Sequence, residues 1–219
     1  MSISELVTPA RRLVTPSAPT VVSLRAPVTV TGAALGPVGT VANGITLMRT
    51  LAAVVVAGVA ISADRPTLLA LAYVIYWVGD VLDGFAARRL GQETRLGAVF
   101  DIVSDRACTS ILCIGLLAHL SSLAPVAVPF FISFMVLDTM LSLSFLCFDV
   151  ISPNHFAQVN RRVYELNWSP PAKALNTAGV IVLSLIGAIW VALVLALVIG
   201  GIKVWSVVRV LRLVNTAAR

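Results

Sequence analysis

Four aspartates stand in two pairs, Asp80 with Asp83 and Asp101 with Asp105, three and four residues apart. At either spacing two side chains share one face of an α-helix. The pairs lie in Gly79-Asp80-Val81-Leu82-Asp83-Gly84-Phe85-Ala86-Ala87-Arg88-Arg89 and in Gly97-Ala98-Val99-Phe100-Asp101-Ile102-Val103-Ser104-Asp105-Arg106. If the two helices are adjacent and antiparallel, joined by a loop of roughly ten residues, four carboxylates converge. Like charges about 4 Å apart repel by several kcal/mol at an effective dielectric near 20, so the cluster needs neutralising. Protonation is one route. Hard oxygen donors without a histidine or thiol among them suit Mg²⁺, Mn²⁺ or Ca²⁺ better than zinc or copper. Two divalent ions would balance the charge, and such a pair can clamp the attacking and leaving oxygens of a phosphoryl displacement. Gly84 and Gly97, lacking Cβ, would let a ligand or a neighbouring helix approach the backbone. A single aspartate of this kind reads as a helix cap or half of an ion pair. Four acids at a membrane boundary mark function, the rival readings being a proton or metal-ion pathway, a metal-ion transporter, or a non-catalytic membrane scaffold.

The elements that must position these acids are membrane helices. Of 219 residues, 58% are hydrophobic and 12% charged, and the mean hydropathy is +0.97, outside the range of soluble domains. That balance excludes a disordered chain, and Cys108, Cys113 and Cys147, set in apolar stretches, read as core packing rather than a disulfide framework. Residues 1–40, with Pro9, Pro16, Pro19, Pro27 and Pro37, read as a poorly ordered cytoplasmic tail without a signal peptide, with room for a short surface helix around Ile3 to Val14. Residues 41–219 read as the membrane domain. Spans are expected from about Asn43 to Ile61 and from about Thr67 to Ala87. The uncharged 31 residues from Ala107 to Leu137 exceed one crossing and divide near Ser121, Ser122, Pro125 and Pro129. The 40 residues from Lys173 to Arg212 are either one tilted helix or two spans turning near Ala188 to Trp190.

With six spans, fifteen of the sixteen Lys and Arg residues fall at one face or its adjacent helix ends, Arg49, Arg106 and Lys203 among them, and Arg65 alone falls on the other. This asymmetry predicts both termini in the cytoplasm. The net charge of +6 is therefore read as topology and anionic-lipid contact, with no nucleic acid as partner.

With its gaps written out, the acidic segment is D-x2-D-G-x2-A-R-x8-G-x3-D-x3-D, filled by Asp80, Asp83, Gly84, Ala87, Arg88, Gly97, Asp101 and Asp105. It resembles the signature of the CDP-alcohol phosphotransferase (CDP-alcohol phosphatidyltransferase) family. Asn43-Gly44-Ile45-Thr46-Leu47-Met48-Arg49 resembles that family's N-x2-T-x2-R opening, Lys173-Ala174-Leu175-Asn176-Thr177 the start of its fifth helix, and Val204-Trp205-Ser206 a late part of the sixth. The resemblance implies an all-α integral membrane protein of six transmembrane helices, usually a homodimer, with a polar active-site cavity open to the cytoplasm. It settles the last stretch as two helices. The implied reaction moves a phosphatidyl group from CDP-diacylglycerol to a small alcohol, releasing CMP. The resemblance implies that Asp80, Asp83, Asp101 and Asp105 hold two Mg²⁺ or Mn²⁺ ions and that Asp105 is also the general base. It likewise implies that Asn43, Thr46, Asp83, Gly84, Ala87, Arg88 and Gly97 bind the donor.

Residues 83–97 are most similar to phosphatidylglycerophosphate synthases, which makes glycerol 3-phosphate the expected acceptor, ahead of inositol phosphate and a cardiolipin-type acceptor. Ile102 stands where those enzymes usually carry Pro, Arg106 where Lys is frequent, and no Pro precedes Asn43. A phosphorylated acceptor would need fixed cations, and Arg106, Arg161, Arg162 and Lys173 are the candidates. The stretch from Asp149 to Pro171 is long enough for an acceptor wall or an interfacial helix, His155 reads as a surface histidine, and Asp138 has no evident partner and no assigned catalytic role. The expected setting is the plasma membrane.

Overall fold

The computed structural model describes residues 35–217, which contain helices and no strand. The expected helix near Ile3 to Val14, with Arg11 and Arg12, lies outside the described residues, as do Arg25 and Arg219. Six long helical rods make up the fold. They are α1 (Val41–Ser62), α2 (Pro66–Arg89), α3 (Arg95–His119), α4 (Ser121–Cys147), α6 (residues 170–185) and α7 (Ile189–Ala217), and a short α5 (Arg161–Asn167) precedes α6. Two rods contain π-helical turns, Ser133–Asp138 in α4 and Leu175–Gly179 in α6. Four rods, α1, α2, α4 and α7, are long and apolar enough to cross a membrane. α3 is 25 residues long but carries Arg95, Asp101, Asp105 and Arg106 in its first half, and α6 spans only about 24 Å at 1.5 Å per residue.

Local chemistry fixes the helix ends. The Thr40 and Thr94 hydroxyls accept hydrogen bonds from the backbone N–H groups of Asn43 and Gly97, capping α1 and α3. Pro66 opens α2, where its missing N–H costs nothing. Between α6 and α7, Gly187 has φ +83°, a left-handed conformation that favours glycine, so the last apolar stretch breaks into two helices close to the expected turn. One expectation needs correcting: the connection between the acidic helices is five residues, Leu90–Thr94, rather than roughly ten, because α2 continues through Arg89 and the Thr94 cap starts α3 at Arg95. Residues 35–40 run beside this connection. The Leu96 N–H donates to the Leu35 carbonyl and the Val41 N–H to Gln92 Oε1.

α1 packs against both α2 and α3. Ala57, Ala60 and Ala72, with Leu69, form the α1–α2 contact, and such small residues let two helices approach closely in lipid. Val126, Phe130, Val180, Ala192, Ala196 and Ile199 join α4 and α6 to α7. Residues 149–169 fold back, burying Phe156, Val163 and Trp168 against Ile102, Phe145 and Val210. The buried Asn167 Nδ2 donates to the Ser206 hydroxyl at 2.9 Å, pinning α5 to α7. Cys108 is buried as core packing requires, whereas Cys113 is half-buried and Cys147 exposed.

Candidate active site

Three helix faces meet at the end of the bundle where α1 and α3 begin and α2 ends. On α1, Asn43, Thr46 and Arg49 recur every three residues and share a face. α2 presents Tyr76, Gly79, Asp80 and Asp83 at helical spacing, and α3 presents Gly97, Asp101 and Asp105 four apart.

Arg49 is the centre of the arrangement, with 2% of its side chain exposed. Its Nε donates to Asp83 Oδ2 at 2.7 Å, and its Nη2 donates to Asp101 Oδ1 at 2.5 Å and to Asp105 Oδ1 at 3.1 Å. The same Nη2 lies 3.3 Å from Asp80 Oδ1, so all four aspartates face one guanidinium. Gly79 makes this possible. A Cβ there would lie 2.4 Å from the Arg49 Cβ, so only glycine lets the arginine stem lie flat against α2. The Tyr76 ring lies under the guanidinium, its centroid 5.4 Å away, adding a cation–π contact.

The role of Arg49 corrects the reading of basic residues at helix ends. Arg49, 4% exposed, and Lys203, 3% exposed, are buried counter-ions rather than headgroup contacts. Nothing in the sequence around Arg49 signals this, beyond its three-residue spacing from Thr46 and Asn43.

The aspartates differ in exposure. Asp83 is almost fully buried, held by Arg49 and by the Thr46 hydroxyl, which donates to Asp83 Oδ2 at 2.7 Å. Asp80 and Asp101 are about two-fifths exposed and Asp105 one-quarter. Ligand oxygens of Asp80, Asp101 and Asp105 all lie within 4.8 Å of one another, a span that one ion with metal–oxygen distances of about 2.0–2.6 Å can bridge. At 4.8 Å two carboxylates still repel by roughly 3.5 kcal/mol at an effective dielectric of 20. One guanidinium leaves three negative charges uncompensated, and Arg49 Nη1 is buried without a hydrogen-bond partner. The donor set and its residual charge fit a hard divalent cation.

The expected donor-binding residues surround this cluster. A Cβ on Gly97 would meet Asn43 Oδ1 and the Thr94 hydroxyl at 2.9 Å, so Gly97 brings the α3 backbone against Asn43. The Arg88 guanidinium folds back over Gly84, one turn earlier, Nη1 being 3.2 Å from where a Gly84 Cβ would stand. Ala87 is half-buried on the same turn and Arg88 itself is exposed. On the outer side, Ile45, Met48, Val74 and Val78 line an apolar groove of about 740 Å³ between α1 and α2, with Arg49 and Gly79 also in its wall.

The expected acceptor residues are not gathered in one place. Arg106 donates to Asp138 Oδ2 at 2.5 Å, and Lys203 donates to the other oxygen of the same carboxylate. Asp138 therefore has two partners, from α3 and α7, where the sequence offers none nearby. Arg161 pairs with Glu165 one turn on along exposed α5. Arg162 lies over the Trp205 ring at 5.5 Å, and Lys173 donates to Asn154 Oδ1 at 2.9 Å. His155 is half-buried, with Nδ1 3.0 Å from the Ser152 hydroxyl.

The sequence model of the family described as CDP-alcohol phosphatidyltransferase matches residues 39–211. Three relatives are each called CDP-diacylglycerol--inositol 3-phosphatidyltransferase. The chain is similar to that of Candida albicans (strain SC5314), 44% identical over 52 residues, covering 24% of this chain and 23% of the relative. The Schizosaccharomyces pombe protein is 42% identical over 48 residues, covering 22% and 20%. The Homo sapiens protein is 44% identical over 66 residues, covering 30% and 29%. These matches span less than a third of each relative. No solved structure matches the chain significantly.

Proposed function

Because the chain belongs to the CDP-alcohol phosphatidyltransferase family, we propose that it is a membrane enzyme that transfers a phosphatidyl group from CDP-diacylglycerol to an inositol-class alcohol, releasing CMP. The observation that carries this reading is the convergence of Asp80, Asp83, Asp101 and Asp105 on the buried Arg49. Such a cluster is short of positive charge, and two divalent cations would bring it to one net positive charge facing a diphosphate.

Asp80, Asp83, Asp101 and Asp105 would hold Mg²⁺ or Mn²⁺, which when bound supplies Lewis-acid stabilisation of the diphosphate. Asp105 accepts the proton of the acceptor hydroxyl. The hydroxyl oxygen bonds to the phosphorus bearing diacylglycerol, the bond from that phosphorus to the CMP phosphate oxygen breaks, and the electron pair leaves with CMP. Arg88 makes charge-assisted bonds to phosphate oxygens, and Asn43, Thr46, Gly84, Ala87 and Gly97 shape the cytidine side. Acyl chains of the donor suit the apolar groove between α1 and α2. All six rods crossing the plasma membrane, the acidic end and both termini in the cytoplasm, and pairing into a homodimer belong to the same reading, and the lopsided placement of the remaining basic residues supports its orientation.

The acceptor departs from the glycerol 3-phosphate expected above. The relatives' names support inositol, and Arg106, Arg161 and Lys173 each already have a partner. The test is CMP release from CDP-diacylglycerol in detergent with Mg²⁺ or Mn²⁺, offering inositol, inositol phosphate and glycerol 3-phosphate separately. An inositol acceptor should be productive, and Asp105→Asn should lower turnover by about 10²-fold or more. Release with glycerol 3-phosphate alone, or an Asp105→Asn protein of wild-type rate, would overturn the reading.

A further inference from the structure

A second buried ionic cluster lies on the other flank of α3. Asp105 faces α1 and α2 through Arg49, while its neighbour Arg106 turns towards α4 and α7. There the Asp138 carboxylate is held between Arg106 and Lys203, whose side chains are 15% and 3% exposed. The Arg106 guanidinium is stacked on Phe134, its Cζ 3.7 Å from the ring centroid. Asp138 ends the π-helical turn Ser133–Asp138, and single π-turns inside α-helices are frequent at functional sites.

This is not the composition of a purely structural ion pair. Two cations meet one carboxylate, leaving a positive charge in excess, and Arg106 Nε and Nη1 are buried with no hydrogen-bond partner. Buried ion networks add little net stability, and unpaired buried N–H groups reduce it. Donors of this kind suit ligand oxygens. With the donor on the α1–α2 side, an alcohol whose hydroxyl meets Asp105 extends along α3 towards Arg106, the next residue.

We propose that Asp138 is a specificity-determining residue that sets the charge of acceptor the enzyme takes: by holding Arg106 and Lys203 it lowers the affinity for phosphorylated acceptors relative to neutral polyols. The inference rests on the phosphatidyltransferase reading above. In that arrangement Arg106 offers its free N–H groups to hydroxyl oxygens, while most of the positive charge a phosphate would use is bound internally.

The experiment compares kcat/KM for inositol phosphate with kcat/KM for inositol, in wild type, Asp138→Asn, Asp138→Glu and Arg106→Gln. Asp138→Asn removes one negative charge at close range and should raise the ratio of phosphorylated to neutral acceptor on the order of tenfold. Asp138→Glu keeps the charge and should leave the ratio near wild type. Arg106→Gln leaves a balanced Lys203–Asp138 pair, so it tests the idea even if Asp138→Asn fails to fold, and it should lower the ratio. An unchanged ratio in Arg106→Gln or in folded Asp138→Asn, or an equal shift in Asp138→Glu, would overturn the proposal. If neither inositol supports CMP release, the inositol reading fails separately, and the same ratio is then taken with glycerol 3-phosphate and glycerol.

Discussion

Gly79→Ala tests whether close contact between α1 and α2 holds the catalytic geometry. The added methyl would stand 2.4 Å from Arg49 Cβ and 2.7 Å from its Cδ. Carbon atoms rest at about 3.5–4.0 Å, so the helices must part by roughly 1 Å or the arginine stem must leave α2. Its Cβ cannot swing aside, being fixed to the α1 backbone. Overpacking of this kind costs about 1–3 kcal/mol, whereas replacing glycine within a helix returns about 0.5–1 kcal/mol. The net effect on stability is therefore small, and activity is the sharper readout. A displacement near 1 Å at a catalytic site costs about 10²-fold in rate. Gly58→Ala, on the same helix with no neighbour within 4 Å of its added methyl, is the control, expected to be neutral or slightly stabilising with unchanged turnover. The assay is metal-dependent CMP release, with thermal unfolding in detergent alongside. Gly79→Ala turning over as fast as Gly58→Ala would refute the argument that the Arg49 position depends on this contact.

Thr46→Ala removes a hydrogen bond to the buried Asp83 carboxylate and should destabilise by about 1.5–3 kcal/mol in chemical or thermal unfolding; a loss under 0.5 kcal/mol would show that the bond is dispensable. Arg49→Met leaves four aspartates without their cation, so the metal-free protein should melt earlier, and Mn²⁺ should raise its melting temperature more than that of wild type; an equal Mn²⁺ effect on both would count against Arg49 as the internal counter-ion. Arg161→Ala, which loses only an exposed pair with Glu165, should change stability by less than about 0.5 kcal/mol and leave the acceptor KM unaltered. A raised KM for that variant would restore Arg161 to the acceptor site.

The acidic cluster was legible because its information is local. Three- and four-residue spacings place each aspartate pair on one helix face, and a short connection forces the two faces together. Breaks after His119 and at Gly187 were legible for a similar reason, since apolar stretches of 31 and 40 residues exceed one crossing. What stayed hidden depends on depth and on distant partners. Arg49 looks like a topology signal until α2 and α3 are placed around it, its four acids lying 31 to 56 residues away in the chain. Asp138 finds Arg106 and Lys203 at separations of 32 and 65 residues, which helical periodicity does not report. The π-helical turns have no compositional mark, and the five-residue α2–α3 connection depends on the Thr94 cap more than on hydropathy.

The burial of Arg49 also bears on biogenesis. When α1 first leaves the ribosome it carries a guanidinium about 12 Å beyond its first residue, with no acid on the same helix to neutralise it. An arginine deep in an isolated span opposes insertion by about 2.5–3.5 kcal/mol on translocon scales. Relief comes only when α2 delivers Asp80 and Asp83 and α3 delivers Asp101 and Asp105. The first three helices are therefore expected to enter the bilayer as one unit, the later acids licensing the earlier helix. In a glycosylation-mapping assay, a chain ending after α1 should insert less efficiently than one continuing through α3, and Arg49→Leu should abolish that difference.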